Sequence, residues 1–391
     1  MTVIRPNSIA GITSLTALGS SIDFYNASGA GIQFNNVNLN NTSGLSTFNS
    51  IDATSIVGVS TIGVTTAYIG SINDGPISGF RNLVINGGFD VWQRGTSFTD
   101  NAVYTSDRWW FVNDAVGTAT VTRQDISSQG LGSQYCLRAE RSSGTNRWVV
   151  GTNLETNVVK SILGKQITVS FYVRKGSAFT SDISVTFGTS NTEAKFGSLI
   201  DFNNFTISNS SLNTSTFTKF SETLNVGAAS TALGLKLELS ASQAGASNAY
   251  FEVAQVQIEE GPIATPFEKR SYGQEFALCC RYYESMETSG STPLRFGNDG
   301  MCISSTVALF QVGGFYPKRS TPVATLSAGN TFAVVNSAGS LIQGTAATVV
   351  NYGSHNASVT VTVASGLTAG NSTQLYAAGG QSPKIQLSSE L

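Results

Sequence analysis

Between Gln257 and Tyr283 the chain reads QIEEGPIATPFEKRSYGQEFALCCRYY, and the rest of the sequence is organised around this stretch. It opens as the end of a strand, turns at Gly261-Pro262, stays extended through Thr265-Pro266-Phe267 and then becomes a helix. Ser271 and Gln274 have the Ser-x-x-Gln spacing of a capping box, and Glu275 sits in the first turn, at the positive end of the helix dipole. Phe276, Cys279, Cys280 and Tyr283 recur at i, i+3, i+4 and i+7, which makes one apolar stripe. A helix of roughly 12 residues is marginal in water by itself. Its stripe therefore has to be buried, against a neighbouring domain or against copies of itself. The second option makes Phe276, Cys279, Cys280 and Tyr283 the expected contacts between copies of the chain.

Outside this stretch the sequence reads as all-β. Only 12% of its residues are charged, about half the usual share, and 40 are glycine. Ile167, Val169, Phe171 and Val173 alternate with polar or half-polar neighbours, as do Leu233, Leu235, Leu237 and Leu239. Further strands are expected at Thr118–Thr122, Tyr135–Ala139, Trp148–Gly151, Ile183–Phe187, Phe205–Ser208, Phe217–Leu224 and Tyr250–Ile258. About ten antiparallel strands suit a central jelly-roll β-sandwich over residues 79–268. Its last strand changes phase: Tyr250, Ala254, Val256 and Ile258 share one face, Phe251 and Val253 the other, which predicts a bulge or burial on both faces. A linker with one short helix, residues 269–285, leads to a C-terminal β-sandwich-like tip at 286–391. From Ser320 to Pro383 there is no charged side chain.

Two motifs resemble those of phage tail fibres. Gln257, Glu259, Gly261, Ala264, Thr265, Phe267 and Glu268, followed by Cys279, Arg281, Tyr282 and Tyr283, match the domain junction of that family, with Cys280 departing from its usual polar residue. NLVINGGFDVWQRG at 82–95, with YTSDRW at 104–109, resembles the start of a carbohydrate-binding-module-like jelly roll that such fibres share. The resemblance covers about Phe80 to Pro322. It implies a virion protein assembled in the host cytoplasm, an intertwined homotrimer, attachment to a phage tail, baseplate or adaptor protein, and adhesion to a host-surface glycan or protein.

Up to residue 73 the charged side chains are Arg5, Asp23 and Asp52, and short apolar pulses recur among Ser, Thr, Gly and Asn. Such a segment has too little charge for ordinary disorder and too little apolar mass for a private core. Residues 1–78 therefore read as an N-terminal β stem shared between chains, and the resemblance implies that this stem faces the virion.

The chemistry points to binding rather than catalysis. The single histidine, His355, has no Cys or Asp near it, the four cysteines lack zinc spacing, and no Gly-rich loop leads into a helix. No cofactor or metal is expected. A net charge of −2 gives no case for nucleic acid, and no apolar run reaches the roughly 20 residues of a membrane span. A tailspike-like depolymerase would need two carboxyl groups across a cleft; a non-adhesive virion fibre is the third alternative. For glycan contact the expected residues are Tyr352, His355, Asn356 and Tyr376 in the tip. Trp110 and Trp148 are the corresponding residues in the jelly roll, because indole rings stack on the C–H faces of sugars or else fill a core.

Overall fold

The period-2 segments fold as antiparallel strands in a computed structural model that describes residues 80–114, 118–194, 198–228, 231–288, 295–353 and 356–391. All of these belong to the unit Tyr68–Leu391. The expected stem, 1–78, and His355 lie outside the described residues.

One six-stranded sheet runs in the order Ser97–Phe98, Ala119–Asp125, Tyr135–Arg141, Tyr250–Glu260, Gln166–Lys175, Thr218–Asn225. A second runs Val103–Tyr104, Trp109–Asn113, Arg147–Leu154, Gly234–Ser242, Ile183–Ser190, Leu199–Ile207. Val169, Phe171, Phe251 and Val253 of the first share one apolar core with Trp109, Phe111, Trp148, Leu235, Leu237 and Leu239 of the second. The two sheets are thus the layers of a β-sandwich. Leu233, expected to open its strand, lies just outside it and is 42% exposed.

The phase change in Tyr250–Glu260 is a β-bulge. The register slips between Ala254 and Gln257, and Gln255 adopts a φ of 51°. One extra residue reverses the alternation, so Phe251, Val253, Val256 and Ile258 all reach the core while Ala254 packs outside with Ile126 and Cys136.

Two expectations about architecture are corrected. A second helix, α1 (Thr156–Ile162), precedes α2 (Tyr272–Cys280). The sequence of α1 carries Val158, Val159 and Ile162 and favours a strand locally, but burial of Val159 and Ile162 against the sandwich core overrides that preference. The C-terminal region is a closed six-stranded barrel rather than sandwich-like. Its order is Arg295–Cys302, Val307–Val312, Ala357–Val363, Leu341–Tyr352, Phe332–Val335, Ser372–Ala377. Phe310, Phe332, Val334, Val359, Val361 and Leu375 fill it. A three-stranded sheet, Tyr283–Glu287, Lys384–Ser388 and Val323–Leu326, leads from α2 into the barrel.

The polar residues of the two motifs hold one another. Asn82 accepts from the Val84 and Ile258 amides at 3.0 and 3.2 Å and donates to the Val256 carbonyl at 3.1 Å. The Glu268 carboxylate accepts from the Asn82 amide, and Gln257 Oε1 from the Glu268 amide. Glu259 accepts from the Thr265 amide and hydroxyl and from Gln257. At α2, Gln274 Oε1 accepts from the Ser271 amide at 3.2 Å, the reciprocal half of a capping box. Glu275 is buried, accepts from the Asn86 amide at 2.5 Å and pairs with Arg270 at 3.3 Å.

The sandwich and the barrel region are joined by buried charge. Arg108 binds Glu390 and lies 3.6 Å over the Tyr282 ring, while Arg94 reaches Glu390 at 3.1 Å and stacks 3.4 Å over Tyr283. The carboxylate of Glu155, at the start of α1, accepts from Arg281 at 2.9 Å and from the Tyr282 hydroxyl. Arg319 adds Glu193 at 3.1 Å. Removing one partner of a buried pair strands the other, at a cost of about 3–5 kcal/mol. Glu390→Ala should therefore lower the unfolding free energy by roughly that amount, read from urea denaturation; a loss within about 0.5 kcal/mol, as at an ordinary surface site, would contradict a buried junction.

Asp107 lies in the same junction. Burial pushes its carboxyl up to about 6, against Arg94 at 3.8 Å and two hydrogen bonds from Gln93, which pull it down, while Glu390 adds to the rise. The folded state thus holds this proton more tightly than the unfolded chain. The resulting stability is complete below about pH 4 and is lost as pH rises through 6, on the order of 2–3 kcal/mol. Relative to Asp107→Asn, the native protein should lose stability between pH 4 and pH 7 in denaturant titrations; a flat difference would show that Asp107 titrates normally.

Candidate functional site

The sandwich withdraws its indole rings from solvent. Trp148 is fully buried, 6.3 Å from Phe251 and edge-on to Phe179. Trp110 is 1% exposed, donates from Nε1 to Asn153 Oδ1 at 3.0 Å and lies over Gly151, where a Cβ would come within 2.3 Å of its ring. Neither offers a face to a sugar, which corrects the expectation for both. The alternation that places Trp148 in the core would place Trp110 outside, but the absence of a side chain at Gly151 lets its indole lie flat on the sheet.

The α2 stripe is also occupied within the chain. Cys279 and Cys280 are fully buried and Tyr283 nearly so. Gln93 Nε2 donates to the Tyr283 carbonyl at 2.8 Å, and Gln386 Nε2 donates to the Tyr283 hydroxyl at 2.5 Å. Burial raises both thiols, Cys280 to about 12, so they behave as apolar filler. These three residues are therefore not free to meet another copy. Phe276 alone of the stripe is half-buried, stacked 5.9 Å from the exposed Tyr272 and edge-on to Tyr316.

In the barrel, Tyr352 is 46% exposed and Asn356 is exposed at the tip of the hairpin formed by Leu341–Tyr352 and Ala357–Val363, where the Gly353 amide bonds to the Asn356 carbonyl. Tyr376 lies elsewhere. It pairs with Ala333, which is opposite Gln343, nine residues back along the strand from Tyr352. At about 3.3 Å per residue that is on the order of 25–30 Å. The structure thus brings Tyr352 and Asn356 together and keeps Tyr376 apart.

Tyr376 is two residues along its strand from Gln374, which lines an open cleft of about 540 Å³ together with Asp299, Val335, Asn336, Ser337, Gly339, Ser372 and Thr373. Its hydroxyl donates to Gln374 Oε1 at 3.4 Å. Asp299 is bound by Arg295 at 2.5 Å. Thr373 donates to the Val335 carbonyl at 2.6 Å, and Asn336 Oδ1 accepts from the Ala338 and Ser340 amides, which fixes the turn that Gly339 closes at a φ of 77°. Apart from Asp299 the cleft is uncharged. Amide and hydroxyl groups beside an aromatic ring suit a neutral polyol, held by hydrogen bonds and ring stacking. The Asn336 turn and Gln374 were not singled out in the sequence; only the lack of charge from Ser320 to Pro383 pointed towards them.

No family model and no curated protein matches this sequence. Among solved structures, the enzymatically active domain of tailspike protein 4 of bacteriophage CBA120 matches 46% of this chain and 21% of its own at 14% identity, with a TM-score of 0.33. The carbohydrate-binding module TmCBM61, solved with β-1,4-galactotriose, matches 46% of this chain and 99% of its own at 12% identity and a TM-score of 0.29. A cyclase from Fischerella sp. TAU matches 47% of this chain and 98% of its own at 13% identity and a TM-score of 0.33. The chain thus spans about a fifth of the tailspike it matches. At these identities and scores none of the three assigns a family or an activity to it.

All four tryptophans are at most 9% exposed. Iodide should quench native fluorescence weakly and unfolded fluorescence strongly, and a saccharide in the barrel cleft should leave the emission maximum unmoved. Strong native quenching would show an exposed indole.

Proposed function

We propose that this chain is a receptor-binding fibre of a phage tail. In this reading residues 1–78 attach it to a tail, baseplate or adaptor protein and three copies assemble around one axis. The sandwich is the jelly-roll shaft, α2 and the strand after it form the link, and residues 286–391 are the adhesive tip, which binds a host-surface glycan without cleaving it. The barrel cleft carries the reading: an open, almost uncharged recess of amides and hydroxyls beside Tyr376, in a region whose polar surface is built almost wholly from neutral groups. The two motifs that resemble tail fibres support it, since Arg94 and Arg108 of the more N-terminal one hold Glu390 at the end of the barrel region, and Asn82 and Asn86 are tied to Glu268 and Glu275 of the other stretch. A depolymerase is disfavoured by the cleft itself, whose lining holds one carboxylate, Asp299, already paired with Arg295. Of the helix stripe, Phe276 with Tyr272 and Tyr316 is the part still open to a neighbouring copy.

Three weak sites on one rigid body gain avidity through effective concentration. Losing a ring contact and a hydrogen bond at each site, about 2 kcal/mol in all, should then multiply across the three. Fluorescently labelled full-length protein should adsorb to cells of some strains in a bacterial panel and release no soluble sugar. The double variant Tyr376→Ala, Gln374→Ala should retain its mass by light scattering yet lose at least tenfold in adsorption. Undiminished adsorption by that variant would place the receptor site elsewhere, and released oligosaccharide would establish the depolymerase.

A further inference from the structure

The outer face of the first sheet carries a second candidate site, remote in sequence from the barrel cleft. Three neighbouring strands place Arg138, Glu252 and Arg174 side by side: Glu252 is directly opposite Arg138 on one side and Arg174 on the other. The Glu252 carboxylate is fully buried, accepting from Arg138 Nε and Nη2 at 2.9 and 2.6 Å through one oxygen and from Arg174 Nε through the other. Arg138 also lies 3.8 Å over the Tyr250 ring, and Arg174 lies 4.8 Å over Phe217. Both guanidiniums are therefore fixed in position by a carboxylate and a ring.

Two cations here share one anion. Among the described residues Arg138 Nη1 and both Nη groups of Arg174 have no hydrogen-bond partner, although the side chains keep 22% and 14% of their exposure. The triad leaves one positive charge and several N–H donors at the surface. The fork of a guanidinium matches a carboxylate in geometry. The half-buried rings of Tyr250, Tyr172 and Phe217 border it, with Thr122 and Gln124 on the neighbouring strand. Rings and neutral hydroxyl and amide groups around a cationic centre match a sugar ring that bears a carboxylate.

We infer that the Arg138–Glu252–Arg174 row on the outer face of the first sheet is a binding site for an acidic saccharide, whose carboxylate the two guanidiniums take while Tyr250 and Phe217 flank its ring. The site is independent of the barrel cleft and of any role assigned to it. It differs also in ligand class, because the cleft is suited to neutral sugars.

The test uses the full-length protein, with polygalacturonate as the acidic probe, dextran as the neutral one and poly-glutamate as the peptide one, in isothermal titration at low and at physiological salt. Binding of polygalacturonate that weakens with salt, with none of dextran, is the expected result. Arg138→Gln leaves Glu252 paired with Arg174 and should weaken binding about tenfold. Glu252→Gln removes the competing internal anion while its amide oxygen can still accept from a guanidinium, and should strengthen binding. Lys160→Gln, the same charge change on α1, should leave it unaltered. Thermal melting confirms that each variant folds; if Arg138→Gln does not, the Glu252→Gln result decides. No binding of polygalacturonate, weaker binding in Glu252→Gln, an equal loss in Lys160→Gln, or preference for poly-glutamate would each overturn the assignment.

Discussion

A carboxylate withdrawn from water has to be given back nearly all the hydrogen bonds it loses, and this constraint governs the centre of the molecule. Glu155, Glu268, Glu275 and Glu390 are each held by a partner more than a hundred positions away along the chain, and Glu259 by Thr265 across the turn that follows it. The desolvation of such groups is offset only when geometry is near ideal. The joint between sandwich and barrel is therefore specified closely: a small rotation would leave Glu155 or Glu390 short of its donors. Apolar packing alone would tolerate such a shift far better, because it has little directionality. A chain with so few charged residues spends many of them here, which leaves the barrel surface to neutral groups.

Much of the strand pattern was legible because alternation is a local signal. The bulge in Tyr250–Glu260 was legible for the same reason: a break in period 2 can be seen in eleven residues. Barrel closure could not be read this way. It depends on the pairing of Arg295–Cys302 with Ser372–Ala377, across about seventy residues of chain, and a strand looks the same in a barrel and in a sandwich. Helix α1 was hidden because its β-branched residues favour a strand and only tertiary burial overrules them.

The candidate sites divide similarly. Tyr352, His355, Asn356 and Tyr376 were expected from composition, and the hairpin register sets Tyr376 apart from Tyr352 and Asn356. Trp110 and Trp148 could not be sorted by sequence, since an indole serves a core and a sugar equally well. Of the α2 stripe, expected to be covered by a neighbouring domain or by other copies, Cys279, Cys280 and Tyr283 are buried within the chain, Tyr283 against Gln93, Arg94 and Gln386, residues far away along the sequence. The arginine–glutamate row had no local trace, because its members lie 114 and 78 positions from one another.

The joint also governs how the molecule carries mechanical load. Asn82, where the sandwich begins, is tied to Glu268 and Arg270, just beyond where it ends, and Ser389 is tied to Tyr282. Entry and exit of the sandwich are thus neighbours, and the end of the barrel region returns to the same place. A pull applied to the barrel would be passed across this cluster of ion pairs directly to the chain entering the sandwich. The long strand ladders would hang beside the line of tension rather than in it. They would be spared shear, and the first element to yield under force would be the knot of charge at the joint.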